Sequence, residues 1–155
     1  MIIHNKSMYW FHVSVHARPR SLQLGPLVPI RGLRLQTLAI SPVVLGEPMG
    51  CSFETAQAKL NNLPRMLFEP DGSFVWVNDA DGESPWQVDG VLYDRNGRLH
   101  SAEIKGSCSE EALDTLLCAM GWPGTDVIFQ LSNEAVFVDE GEFRRMAACR
   151  QNDDV

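Results

Sequence analysis

From Met49 onward the hydrophobic and polar positions fall into blocks with recognisable periods. Phe53, Ala56, Leu60 and Leu63 recur at helical spacing behind Ser52, a side chain suited to cap a helix, and Pro64 ends the run. Met66–Phe68 and Phe74–Val77 flank Glu69-Pro70-Asp71-Gly72, where proline presets one turn dihedral and glycine accepts the left-handed one, so a β-hairpin is predicted. A second hairpin is predicted with arms Gln87–Tyr93 and Leu99–Lys105 around Arg95-Asn96-Gly97. Ser107 and Glu110 form a capping box for a helix with the stripe Leu113, Leu116, Leu117 and Met120. Cys118 is placed on its apolar side, Gly121 stops it, and Trp122 is read as core. Val127–Leu131 and Ala135–Val138 read as short strands, and Asp139 with Glu142 caps a last helix through Phe143, Met146, Ala147 and Arg150. The order α-β-β-β-β-α-β-β-α predicts an α+β domain whose largely antiparallel sheet is built from two consecutive hairpins plus later short strands.

Composition changes the picture mainly at the N-terminus. The 155 residues carry a formal charge of -7, which counts against gripping nucleic acid by bulk charge. No window nears 18 uninterrupted apolar residues, so no membrane-spanning helix is predicted and a soluble, cytoplasmic protein is expected. Residues 1–50 hold five basic residues and one acid, however, whereas the remainder holds eight basic and nineteen acidic. Five prolines (Pro19, Pro26, Pro29, Pro42 and Pro48) interrupt the first block. Residues 1–48 are therefore expected to be a poorly structured basic leader: an extension ahead of a start at Met49, a cleaved targeting segment or a mobile arm. Residues 49–150 are expected to form one α+β domain, and 151–155 a tail. His12 and His16 stand four apart, a spacing that places two imidazoles on one helix face, but no third metal ligand accompanies them. The cysteines Cys51, Cys108, Cys118 and Cys149 form no CxxC pair and are expected to be structural thiols.

Candidate chemistry concentrates in the second hairpin. A two-residue Asn96-Gly97 turn would mix polar and apolar residues on both faces, whereas a three-residue Arg95-Asn96-Gly97 loop would put Val88/Ile104, Gly90/Ala102 and Leu92/His100 on one face. Burial favours the second closure, which sets Asp89 across from Glu103 and Gln87 across from Lys105, and leaves His100 on the apolar face. Facing carboxylates repel by about 0.2–1 kcal/mol unless a cation lies between them, and Mg²⁺ or Mn²⁺ is one such cation. A neighbouring lysine can then orient a water for attack on a phosphodiester. Asn78–Glu83 has closely spaced acids before a glycine, but its spacing fails the calcium-loop pattern and it reads as an inter-hairpin loop.

Asp89, thirteen intervening residues and then Glu103-Ile104-Lys105 resemble the PD-(D/E)xK signature of restriction-endonuclease-like nucleases, and residues 52–131 are similar in element order to that family's αβββαβ core. Val88 stands where the pattern has proline. The resemblance implies Asp89 and Glu103 as metal ligands, Lys105 as the residue assisting the water, and Glu54 as a weaker further ligand, with Mg or Mn as cofactor and nucleic acid as partner. The leading expectation is nevertheless a non-catalytic protein-interaction or accessory domain without a cofactor. It would meet a protein partner or a second copy through an exposed patch around Trp76 and Trp86. The metal-dependent nuclease, or a degenerate relative, is the alternative.

Overall fold

A computed structural model describes residues 7–41, 45–79, 81 and 84–150; the 151–155 tail lies outside the described residues. The described residues form nine strands and three helices: β1 (Met8–Ala17), β2 (Gln23–Ile30), β3 (Leu33–Ala39), α1 (Phe53–Asn61), β4 (Met66–Phe68), β5 (Ser73–Val77), β6 (Gln87–Arg95), β7 (Arg98–Ser109), α2 (Glu110–Ala119), β8 (Val127–Leu131), β9 (Val136–Asp139) and α3 (Glu140–Ala147). All nine strands join one antiparallel sheet in the order β2-β3-β9-β8-β1-β7-β6-β5-β4, so the α+β class holds.

The expected basic leader is corrected across residues 8–39. β1 is the middle strand of the sheet, paired with β7 from Met8↔Ser109 to His16↔Ser101 and with β8 from Val13↔Leu131 to Ala17↔Val127. Its sequence alternates strictly: Tyr9, Phe11, Val13, Val15 and Ala17 are buried, and Trp10, His12, Ser14 and His16 are half-buried on the other face. No proline falls inside β1, while Pro26 and Pro29 lie on the edge strand β2, where a missing N–H is tolerated. Net charge therefore said little about folding here, because alternation places the polar residues on one face and leaves the other apolar.

A single core joins the helices to one sheet face. It includes Phe11, Val13 and Val15 of β1, Val88, Leu92 and Ile104 of the second hairpin, Leu60 of α1, Leu113 and Leu116 of α2, and Phe143 of α3. Phe143 stacks on Phe129 at 4.0 Å between ring centroids. Local signals account for the helix starts: Ser52 accepts from the Thr55 N–H and Asp139 from the Glu142 N–H. The α2 cap differs from expectation, because β7 keeps pairing with β1 as far as Ser109, which becomes the N-cap and accepts from Ala112. Cys118 is exposed rather than buried, since Ala112, Leu113, Leu116, Leu117 and Ala119 already fill the inward stripe. Trp122 does pack against the core, and its indole N–H donates to Glu140 at 2.7 Å.

The second hairpin closes differently from the expected register. The turn is the two-residue Asn96-Gly97, with Arg95 opposite Arg98 and Asp94 opposite Leu99, and then a bulge shifts the pairing so that Tyr93 faces Ser101 and Leu92 faces Ala102. His100 is the extra residue. The bulge returns Leu99, Ala102 and Ile104 to the core face, so burial is satisfied by a mid-strand irregularity rather than by a longer loop. As a result Asp89 faces Lys105, and Glu103 faces Val91.

Candidate functional site

The sheet face opposite the helices carries the polar side chains. The strand registers lay them out in rows: Leu67, Val75, Asp89, Lys105 and His12 in one; Ser73, Val91, Glu103, Ser14, Gln130 and Phe137 in the next; Tyr93, Ser101, His16 and Ile128 in a third. Asp89, Glu103 and Lys105 share this face, as expected, but the predicted Asp89–Glu103 and Gln87–Lys105 pairs do not form. Asp89 accepts from the Gln87 side-chain amide at 2.8 Å and has Lys105 directly across, while Glu103 lies on the diagonal. Diagonal neighbours stand about 7–8 Å apart at Cα, wider than residues directly across, so the two carboxylates are not held face to face as the expected register required. Glu54 belongs to α1, in the helix layer on the other side of the sheet. Among the described residues no three of His, Cys, Asp and Glu converge to hold a metal ion.

His12 and His16 also separate. In a strand four residues span about 13 Å, so the two imidazoles share a face but lie two rows apart. The histidine that joins His16 is His100, which the bulge moves off the expected apolar face and sets beside Ser101, the residue paired with His16. His16 Nε2 lies 3.1 Å from Ser14 Oγ, and Ser14 donates to Gln130 Oε1 at 3.5 Å. His100 Nδ1 is 3.3 Å from Ser101 Oγ. The remaining ring nitrogens, His16 Nδ1 and His100 Nε2, are both buried without a hydrogen-bond partner. Burial, reinforced by the neighbouring His100, depresses the His16 pKa to about 4, so the ring is neutral at pH 7.

Beside Lys105 lies a groove of about 480 Å³ lined in part by Trp10, Glu134 and Arg150. The Arg150 guanidinium sits 5.8 Å above the Trp10 ring. Arg31 donates from one nitrogen to the carbonyls of Trp10, Met146 and Cys149, tying β1 to the C-terminal end of α3.

The expected aromatic patch is absent. Trp76 is 7% exposed and Trp86 9%, packed edge to face at 5.0 Å, with the Trp76 indole donating to Pro64 O at 2.9 Å. Exposed large apolar side chains lie instead at Leu67 of β4 and Tyr93 of β6, each the one such residue on its strand, and on β2, where two fall together, Leu24 at 70% exposed and Leu27 at 53%. The β2–β3 hairpin forms an arm: β3 pairs with β9 only at Leu38↔Phe137, while the Gln36 N–H donates to Glu142 of α3 at 2.7 Å. That contact, with help from Arg145, holds the Glu142 carboxyl below its usual pKa. Leu35 faces inward and is fully buried, and the register of β2 shifts between Leu24 and Leu27. No family model matches the chain, and no curated protein or solved structure matches it at a significant level.

Proposed function

We propose that this protein is a non-catalytic interaction domain that meets another protein chain through the β2–β3 arm. The observation that carries the reading is the pair Leu24 and Leu27, exposed together on an eight-residue edge strand whose hairpin packs inward through Leu35. Moving two such side chains out of water is worth about 3–6 kcal/mol before association costs, a scale that makes them anchors of a contact rather than its whole area. Pro26 and Pro29 remove two backbone donors from the same edge, which discourages strand addition and leaves recognition to side chains. The nuclease alternative keeps Asp89, Glu103 and Lys105 on one sheet face, Glu103 on the diagonal and Lys105 across from Asp89, and has no support beyond that placement.

A second copy of the chain is the first partner to test. Sedimentation equilibrium is measured for the full chain and for Leu24→Ser/Leu27→Ser. The reading expects concentration-dependent association that the double variant loses while its unfolding free energy stays within about 0.5 kcal/mol of the parent. Equal association in both would move the contact elsewhere, and a wild type that remains monomeric would remove the second copy as the partner.

A further inference from the structure

We propose that His16 and His100 form a two-imidazole site for a divalent transition metal ion of the copper, nickel and zinc class. The bulge at His100 creates the juxtaposition: without it His100 would point into the core, and with it the ring lies on the same face as His16, next to the residue paired with His16. Each ring is anchored through one nitrogen, His16 Nε2 to Ser14 Oγ and His100 Nδ1 to Ser101 Oγ. Each leaves its other nitrogen buried and unpartnered. Metal-binding histidines have this arrangement, with the outer nitrogen held by a hydrogen bond that fixes the tautomer while the inner one offers its lone pair.

Two buried imidazole nitrogens without partners are costly to maintain, so a bound ion that satisfies both removes a penalty that the fold otherwise carries. Imidazole suits copper, nickel and zinc, whereas magnesium and calcium prefer oxygen. No third His, Cys, Asp or Glu joins the two among the described residues, so the remaining coordination positions belong to water or to a donor from a bound molecule.

The test uses the full chain with His4→Asn and His12→Asn, which leaves His16 and His100 as the histidines present. Cu²⁺ is titrated in, and electron paramagnetic resonance is recorded with ¹⁵N-labelled histidine. The proposal expects one copper per chain with splitting from two imidazole nitrogens, and affinity at least tenfold weaker in both His16→Gln and His100→Gln. Equal affinity in either variant, or splitting from a single imidazole, overturns it. Because His16→Gln also removes a half-buried ring, a second measurement uses the parent chain: Zn²⁺ must shift the ¹⁵N resonances of His16 Nδ1 and His100 Nε2 together, and unshifted resonances at saturating zinc overturn the proposal independently of any variant.

Discussion

Lowering the pH should destabilise this protein through His16 before its carboxylates titrate. The ring is buried on the sheet face with His100 alongside, and its pKa is depressed from 6.5 to about 4, with desolvation the larger cause and His100 the second. Tyr93 and, past Ile128, Asp139 lie in the His16 row and Glu103 in the next, and none of the three hydrogen-bonds the His16 ring. The direction follows from proton counts. Between pH 6.5 and about 4 the unfolded chain holds a proton at this site that the folded chain does not, so stability falls as pH falls through that window and levels off below it. The gap between the two pKa values corresponds to at most about 3 kcal/mol, and solvent contact at the ring edge reduces the working figure to about 2 kcal/mol. Urea unfolding followed by tryptophan fluorescence at pH 7.0 and 4.5 measures it, with His16→Gln as the non-titrating reference. The wild type should lose about 2 kcal/mol more than the variant between the two pH values. Equal losses, or a His16 that titrates near 6.5 by NMR in the folded protein, would refute the argument.

Three further outcomes follow from particular contacts. Gly90→Val should cost about 1–3 kcal/mol in urea unfolding, because the Phe74 ring lies over the space that a Cβ at position 90 would occupy, and an unchanged midpoint would contradict that packing. Cys118 should react with a thiol reagent in the native state, and Cys118→Ser should remove that phase. Cys108, whose pKa is raised to about 12 by burial and then by Asp114, should react only on unfolding. Glu103→Ala should shift stability by less than about 1 kcal/mol, with no manganese-induced rise in Tm that depends on Glu103; such a rise would favour the nuclease reading over the interaction reading.

The helices and both hairpins after residue 49 were legible because each is specified locally. Ser52 and Asp139 cap the helices that follow them, and Gly72 supplies the positive φ that closes the first hairpin. The central strand was legible too, in the alternation from Met8 to Ala17, but charge and proline content pointed the other way. A period of two over ten residues is direct evidence for a half-buried strand, whereas charge asymmetry is only indirect evidence about order. The bulge at His100 left no sequence signal. A two-residue turn with a bulge and a three-residue loop bury the same face, so burial alone could not choose between them, and the choice decided the neighbours of Asp89, Glu103 and His100. Leu24 and Leu27 were likewise unreadable as exposed residues, because apolar side chains in a β-rich stretch are expected to face the core; their exposure follows from the position of β2 at the sheet edge, which long-range pairing decides.

The most direct test of the interaction reading is photo-crosslinking in cells that express the full chain with a benzophenone amino acid at position 27. Position 54 on the exposed side of α1 serves as the control. The account predicts a discrete adduct from position 27, a second copy or one other protein identified by mass spectrometry, with none from position 54 and none from position 27 when Leu24→Ser is added. A protein that gives no adduct from position 27, or the same adduct from both positions, would contradict it.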